Sequence, residues 1–98
     1  MAPKFGVLAI VEAQAGKEQD VWDFLNNGRA IVADEPGTQT WYAFRASATT
    51  FGIFDTFASE EARQAHLQGA IPAALAEHGP ALLAGQPDIK LIELIAVK

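Results

Sequence analysis

Lys4 to Ala13 is apolar at nearly every position, with Phe5, Val7, Ala9 and Val11 on one face of an extended chain and Leu8 and Ile10 on the other. A strand of that kind is covered on both sides. Ile89 to Val97 reads the same way, with Glu93 inside it. The 98 residues fit one domain, 1–98, and leave no room for a second. A domain this small buries only about 60–65% of its extended-chain surface. It can cover one face of its sheet with its own helices, and cover for the other face has to come from outside.

The middle of the chain is organised around Phe51 to Leu67, FGIFDTFASEEARQAHL. Phe51, Ile53 and Phe57 alternate with Gly52, Phe54 and Thr56, as in a strand. Ser59 follows as a helix N-cap, and Glu60 and Glu61 fill the first turn, where acids suit the positive helix end. His66 lies about two turns in and can swing back over the strand it came from. Asp55 sits inside the apolar strand, where a carboxylate is costly without a partner. One strand–helix unit thus delivers an acid and an imidazole to one apolar neighbourhood.

The remaining elements follow from punctuation. Gly16 turns the chain into a helix over Glu18 to Asp34, with Val21, Phe24, Leu25, Ile31 and Val32 at helical spacing. Glu35-Pro36-Gly37 ends it. Thr38 to Ala46 is rich in Thr and aromatics and reads as a strand, joined through Ser47 to Thr50 to the strand at Phe51. Pairing Ala46 with Phe51 sets Phe44 opposite Ile53, Tyr42 opposite Asp55 and Thr40 opposite Phe57, while Trp41, Ala43 and Arg45 turn to the other face. The helix carrying His66 ends near Gly69. A further helix runs from Pro72 to His78, where Gly79-Pro80 breaks it, and Gln86-Pro87 precedes the last strand. The order βαββαβ predicts an α+β, ferredoxin-like domain with a four-stranded antiparallel sheet and its helices on one face. A second copy packed on the bare face, sheet to sheet, predicts a homodimer.

Composition narrows the partners. Net charge is −5, with no run of Lys or Arg, which predicts no affinity for nucleic acid or an anionic membrane. Without cysteine there are no disulfides, thiolate metal sites or Cys nucleophiles. The amino-terminal run is interrupted by Glu12 and is too short to span a bilayer, so a cytoplasmic location is expected.

Three stretches together, GKEQDVWDFL, ADEPGTQTWYAFR and GIFDTFASEEARQAHL, resemble the antibiotic biosynthesis monooxygenase domain family over nearly the whole chain. The resemblance implies a ferredoxin-like homodimer whose sheets join into a barrel. It also implies a ligand pocket between sheet and helices. Its activities include oxygenation of quinols and polyketide phenols without metal or flavin, haem degradation, and isomerisation of a small metabolite. The haem degraders combine a first-strand Asn, a Trp where this chain has Phe57, and a His matching His66. Ala9 stands in the first-strand region here, so haem degradation is not expected.

The candidate catalytic residues are His66, Asp55 and Tyr42. His66 titrates near neutral pH and can move a proton, or it is a packed histidine with one hydrogen bond. Asp55 orients His66 or takes the proton itself, or it is a structural carboxylate bonded to the Tyr42 hydroxyl or a backbone N–H. Tyr42 donates to developing negative charge, or closes the core with its hydroxyl at the rim. Phe44, Phe51 and Phe57, with Thr40, form the candidate substrate wall, the aromatics otherwise being plain core. His78, at a helix C-terminus, reads as a cation favoured by the helix dipole. The expected activity is a cofactor-independent monooxygenase acting on a small electron-rich phenol or quinol. The alternatives are a non-catalytic small-molecule-binding dimer and an isomerase using the same acid/base pair.

Overall fold

A computed structural model describes residues 2–98. The elements run β1 (Phe5–Glu12), α1 (Glu18–Val32), β2 (Thr38–Arg45), β3 (Thr50–Phe57), α2 (Glu60–Leu67), α3 (Ala70–Leu82) and β4 (Asp88–Glu93). The four strands form one antiparallel sheet in the order β2-β3-β1-β4, the ferredoxin-like arrangement expected from the sequence. All three helices lie on one face. There Ala9, Val11, Phe51 and Ile53 meet Val21 and Leu25 of α1, Ile71 of α3 and Leu83 beyond it. No helix among the described residues is long and apolar enough to cross a membrane.

Local sequence explains each helix. In α1 the buried residues are Val21, Leu25, Gly28 and Val32, a single stripe at helical spacing. Gly28 interrupts it for a packing reason: a Cβ there would lie 3.2 Å from Cη2 of Trp41, so the indole rests on the bare backbone. In α2 the Ser59 hydroxyl accepts the Ala62 N–H at 3.1 Å, the cap read from the sequence. Arg63 then reaches back, its Nη1 donating to the carbonyls of Gly6 (3.1 Å) and Ile92 (3.0 Å), which ties α2 to β1 and β4. α3 differs from expectation. It passes Gly79 and continues through Pro80, since a proline in a last turn forfeits only one backbone bond. The Gln14 amide donates to Pro80 O at 2.9 Å and Leu83 O at 3.0 Å and holds that end. β4 is likewise shorter than expected. Glu93 pairs with Phe5, the Leu94 N–H makes one more bond to Lys4 O at 2.9 Å, and past it Ile95 stands fully exposed.

The β2–β3 register corrects the expected one. Ala46 N–H donates to Thr50 O at 2.8 Å, so Ala46 faces Thr50 and the loop is Ser47–Thr49, one residue shorter than expected. Arg45 folds back to donate to Ser47 O (3.1 Å) and Ala48 O (2.7 Å), and Ser47 Oγ accepts the Thr50 N–H at 3.1 Å. A one-residue slip exchanges the faces of the whole strand. Trp41 is therefore opposite Asp55, Tyr42 opposite Phe54, Phe44 opposite Gly52 and Thr40 opposite Thr56. Trp41, Ala43 and Arg45 turn to the helices. Tyr42, Phe44 and Thr40 turn to the bare face, joining Leu8, Ile10 and Phe54. There the Phe44 ring packs over the bare backbone of Gly52 and the Phe54 ring over that of Gly6.

Candidate active site

Three titratable side chains stand in a hydrogen-bonded row under the helices. Asp55 projects from β3, 1% exposed. His66 comes from α2, 6% exposed, with Nε2 at 2.9 Å from Asp55 Oδ2. Its Nδ1 lies 2.6 Å from Oε1 of Glu35, which sits in the turn after α1. The same Glu35 oxygen accepts the Thr38 hydroxyl at 2.8 Å. Phe57, fully buried, packs its ring against the imidazole at 5.2 Å between centroids.

The electrostatics follow from this geometry. Burial by itself would lower the pKa of His66, because it penalises the cation. Hydrogen bonds to Asp55 and Glu35, and the charges of both carboxylates, outweigh burial and leave it raised above its ordinary 6.5. An imidazolium has an N–H for each neighbour, whereas the neutral ring could satisfy only one of the two carboxylates as a donor. The row is sealed at Asp55 and open at Glu35, whose side chain is 22% exposed. Glu35 and His66 line a groove of about 720 Å3 with Ile31, Pro36, Thr38 and Ala65. A second, smaller cavity of about 140 Å3 lies between α1, α3 and the sheet, with Gly28, Trp41, Ile53 and Ile71 in its walls. Among the described residues, no three His, Asp or Glu side chains are grouped so that they could hold a metal ion.

Of the residues singled out from the sequence, His66, Asp55 and Phe57 come together, and Phe51 lies further along the same face of β3 in the core. Tyr42, Phe44 and Thr40 do not join them: the register sets them on the opposite face, Tyr42 58% exposed and Thr40 bonded through its hydroxyl to Thr56 at 2.6 Å. His78 stands within α3, not at its end, and meets Phe24 edge-on at 5.6 Å on the rim of the inner cavity. Glu35 was read only as part of a helix stop. Its signal was the acid directly before Pro36-Gly37, which the turn points toward α2. Trp41 takes the face opposite to the expected one because the loop is one residue shorter than its composition suggests.

No family model matches the chain, and no curated protein matches it. Solved structures do. A protein of unknown function from Nitrosomonas europaea is 41% identical, with a TM-score of 0.95 over 98% of this chain and 93% of that one. A protein provisionally named an antibiotic biosynthesis monooxygenase, from Caulobacter crescentus, is 26% identical, with a TM-score of 0.79 over 96% of this chain and 92% of that one. A protein from Mycobacterium tuberculosis shares the fold at a TM-score of 0.81 and 15% identity, over 98% of each chain. In backbone, element order and sequence the chain is thus similar to proteins provisionally named antibiotic biosynthesis monooxygenases, the family that its motifs resemble.

Proposed function

We propose that the chain is a monooxygenase that uses dioxygen on a small electron-rich phenol or hydroquinone, and that Glu35, His66 and Asp55 handle its protons. The observation that carries this reading is the row itself: a buried imidazole bracketed by two carboxylates, wet at one end and dry at the other. A phenol that loses its proton to the row becomes an anion able to pass one electron to dioxygen. The resulting radicals join in a carbon–oxygen bond. Loss of the ring hydrogen as a proton then breaks the oxygen–oxygen bond and releases water. Phenol plus O2 thus yields quinone plus water; one oxygen atom enters the product and the other leaves reduced. The electrons come from the substrate, so the protein has only to position it, remove a proton and stabilise the developing charge.

An oxygen electrode and a panel of phenols and hydroquinones test this. Uptake should match quinone formed, and should fall about 10²-fold or more in His66→Ala and in Asp55→Asn, the usual scale for a lost general base. Uptake that survives both substitutions overturns the assignment of the row. Tight binding with no turnover points instead to a sequestering protein, and turnover without oxygen to an isomerase.

The homodimer is part of the same proposal. Leu8, Ile10, Phe44 and Phe54 make the bare face apolar, and the described helices lie on the other side. A second copy placed sheet to sheet would bury on the order of 2,000 Å2. Sedimentation at micromolar concentration should give the mass of two chains, and Phe54→Lys should give one. A wild-type monomer rejects this part.

A further inference from the structure

We propose that Trp41 and Asp55 together form the seat of the substrate's hydroxyl, with its ring in the inner cavity, so that the substrate's proton enters the row from inside. The proposal rests on the reading of the chain as acting on a hydroxyaromatic compound, and gives that reading an orientation.

Trp41 and Asp55 are direct partners across β2 and β3, both turned to the helices. Cross-strand partners hold their Cβ atoms about 4.5–5.5 Å apart. Asp55 uses Oδ2 for His66, while its Oδ1 is buried with no hydrogen-bond partner among the described residues. Nε1 of Trp41 is buried and unbonded in the same way. One is an acceptor and the other a donor, and leaving either unpaired away from water is costly. A hydroxyl is the small group that answers both from a single atom, donating its hydrogen to Oδ1 while its oxygen accepts from the indole N–H.

The cavity lined by Trp41 suits what a hydroxyl would be attached to. The indole edge that carries Nε1 also carries Cζ2, which lies 3.3 Å from where a Cβ of Gly28 would stand. Gly28, Trp41, Ile53, Ile71 and Phe24 wall the cavity of about 140 Å3. An apolar cavity of about 150 Å3 engineered into another protein admits benzene, so the space matches one aromatic ring.

The row then has distinct inner and outer ends. The hydroxyl O–H bond breaks and its proton goes to Asp55 Oδ1. His66 hands its Nδ1 proton to Glu35, 2.6 Å away, and Glu35 releases one to the groove. One proton enters, one leaves, and the charge of the row is unchanged.

Phenol and toluene, which differ by the hydroxyl, are the probes, in titrations without oxygen. Wild-type protein should bind phenol about tenfold or more tightly than toluene, because a site built to bond a hydroxyl rejects the analogue lacking it. Trp41→Phe should bring the ratio close to one. The indole N–H resonance of Trp41, one of two tryptophans in the chain, should move with phenol and stay with toluene. Equal affinities, binding of neither probe, or an indole resonance indifferent to phenol would overturn the seat and leave the pair to a structural water only. Oxygen uptake is read separately: hydroxyl preference without uptake keeps the seat and rejects the oxygenase, and uptake without preference does the reverse.

Discussion

Replacing His66 by leucine is expected to lower stability by about 3–5 kcal/mol, the cost of removing one member of a buried ion pair and leaving its partner uncompensated. Asp55, 1% exposed, would be left with no cation beside it, and Glu35 would lose its contact as well. In a domain of this size that is a fall in Tm on the order of 20 °C. Urea denaturation measures it directly, and a loss below about 1 kcal/mol would class the row with exposed salt bridges. The same residue sets a pH dependence. Its pKa is raised in the fold above 6.5, so the stability it contributes is complete below that value. That stability is lost as pH rises from there through the folded-state pKa. Wild-type melting temperature should therefore decline over that alkaline-going window, and His66→Leu should remove this part of the slope.

Gly52→Ala is expected to destabilise by about 3 kcal/mol, the upper end of the usual cost of overpacking. A Cβ at that position collides with the Phe44 ring and stands 2.8 Å from the Ala9 carbonyl oxygen. The ring can rotate away, but the carbonyl belongs to the paired strand and cannot. Adding Phe44→Ala should accordingly restore less than half of the loss. Denaturation of the two single variants and the double variant decides it, and a single variant within about 0.5 kcal/mol of wild type, the range of an innocuous surface change, rejects the argument.

The order of elements was readable because its signals are local. Alternation marks β3, Ser59 caps α2, and the Pro36-Gly37 pair stops α1. The meeting of His66 with Asp55 was readable for the same reason, since one continuous segment carries both. What escaped depended on distances that short motifs do not encode. The face presented by Trp41 or Tyr42 turns on whether a hairpin loop holds three residues or four, and the Arg45 contacts that settle it lie outside any strand pattern. Glu35 is 31 positions from His66, and only the closed fold shows that they touch. The end of β4 is decided by where β1 begins, at the opposite end of the chain.

The place of β1 in the sheet, between β3 and β4, has a bearing on how the molecule is made. The first of the four strands in chain order is the one that needs both of its neighbours from later in the sequence. Its second neighbour, β4, is the last of the four strands in chain order. Until then a greasy ribbon with one unpaired edge waits in the cell, and closure over so long a span is slow. Nascent chains shortened before Asp88 should be the ones that chaperones hold.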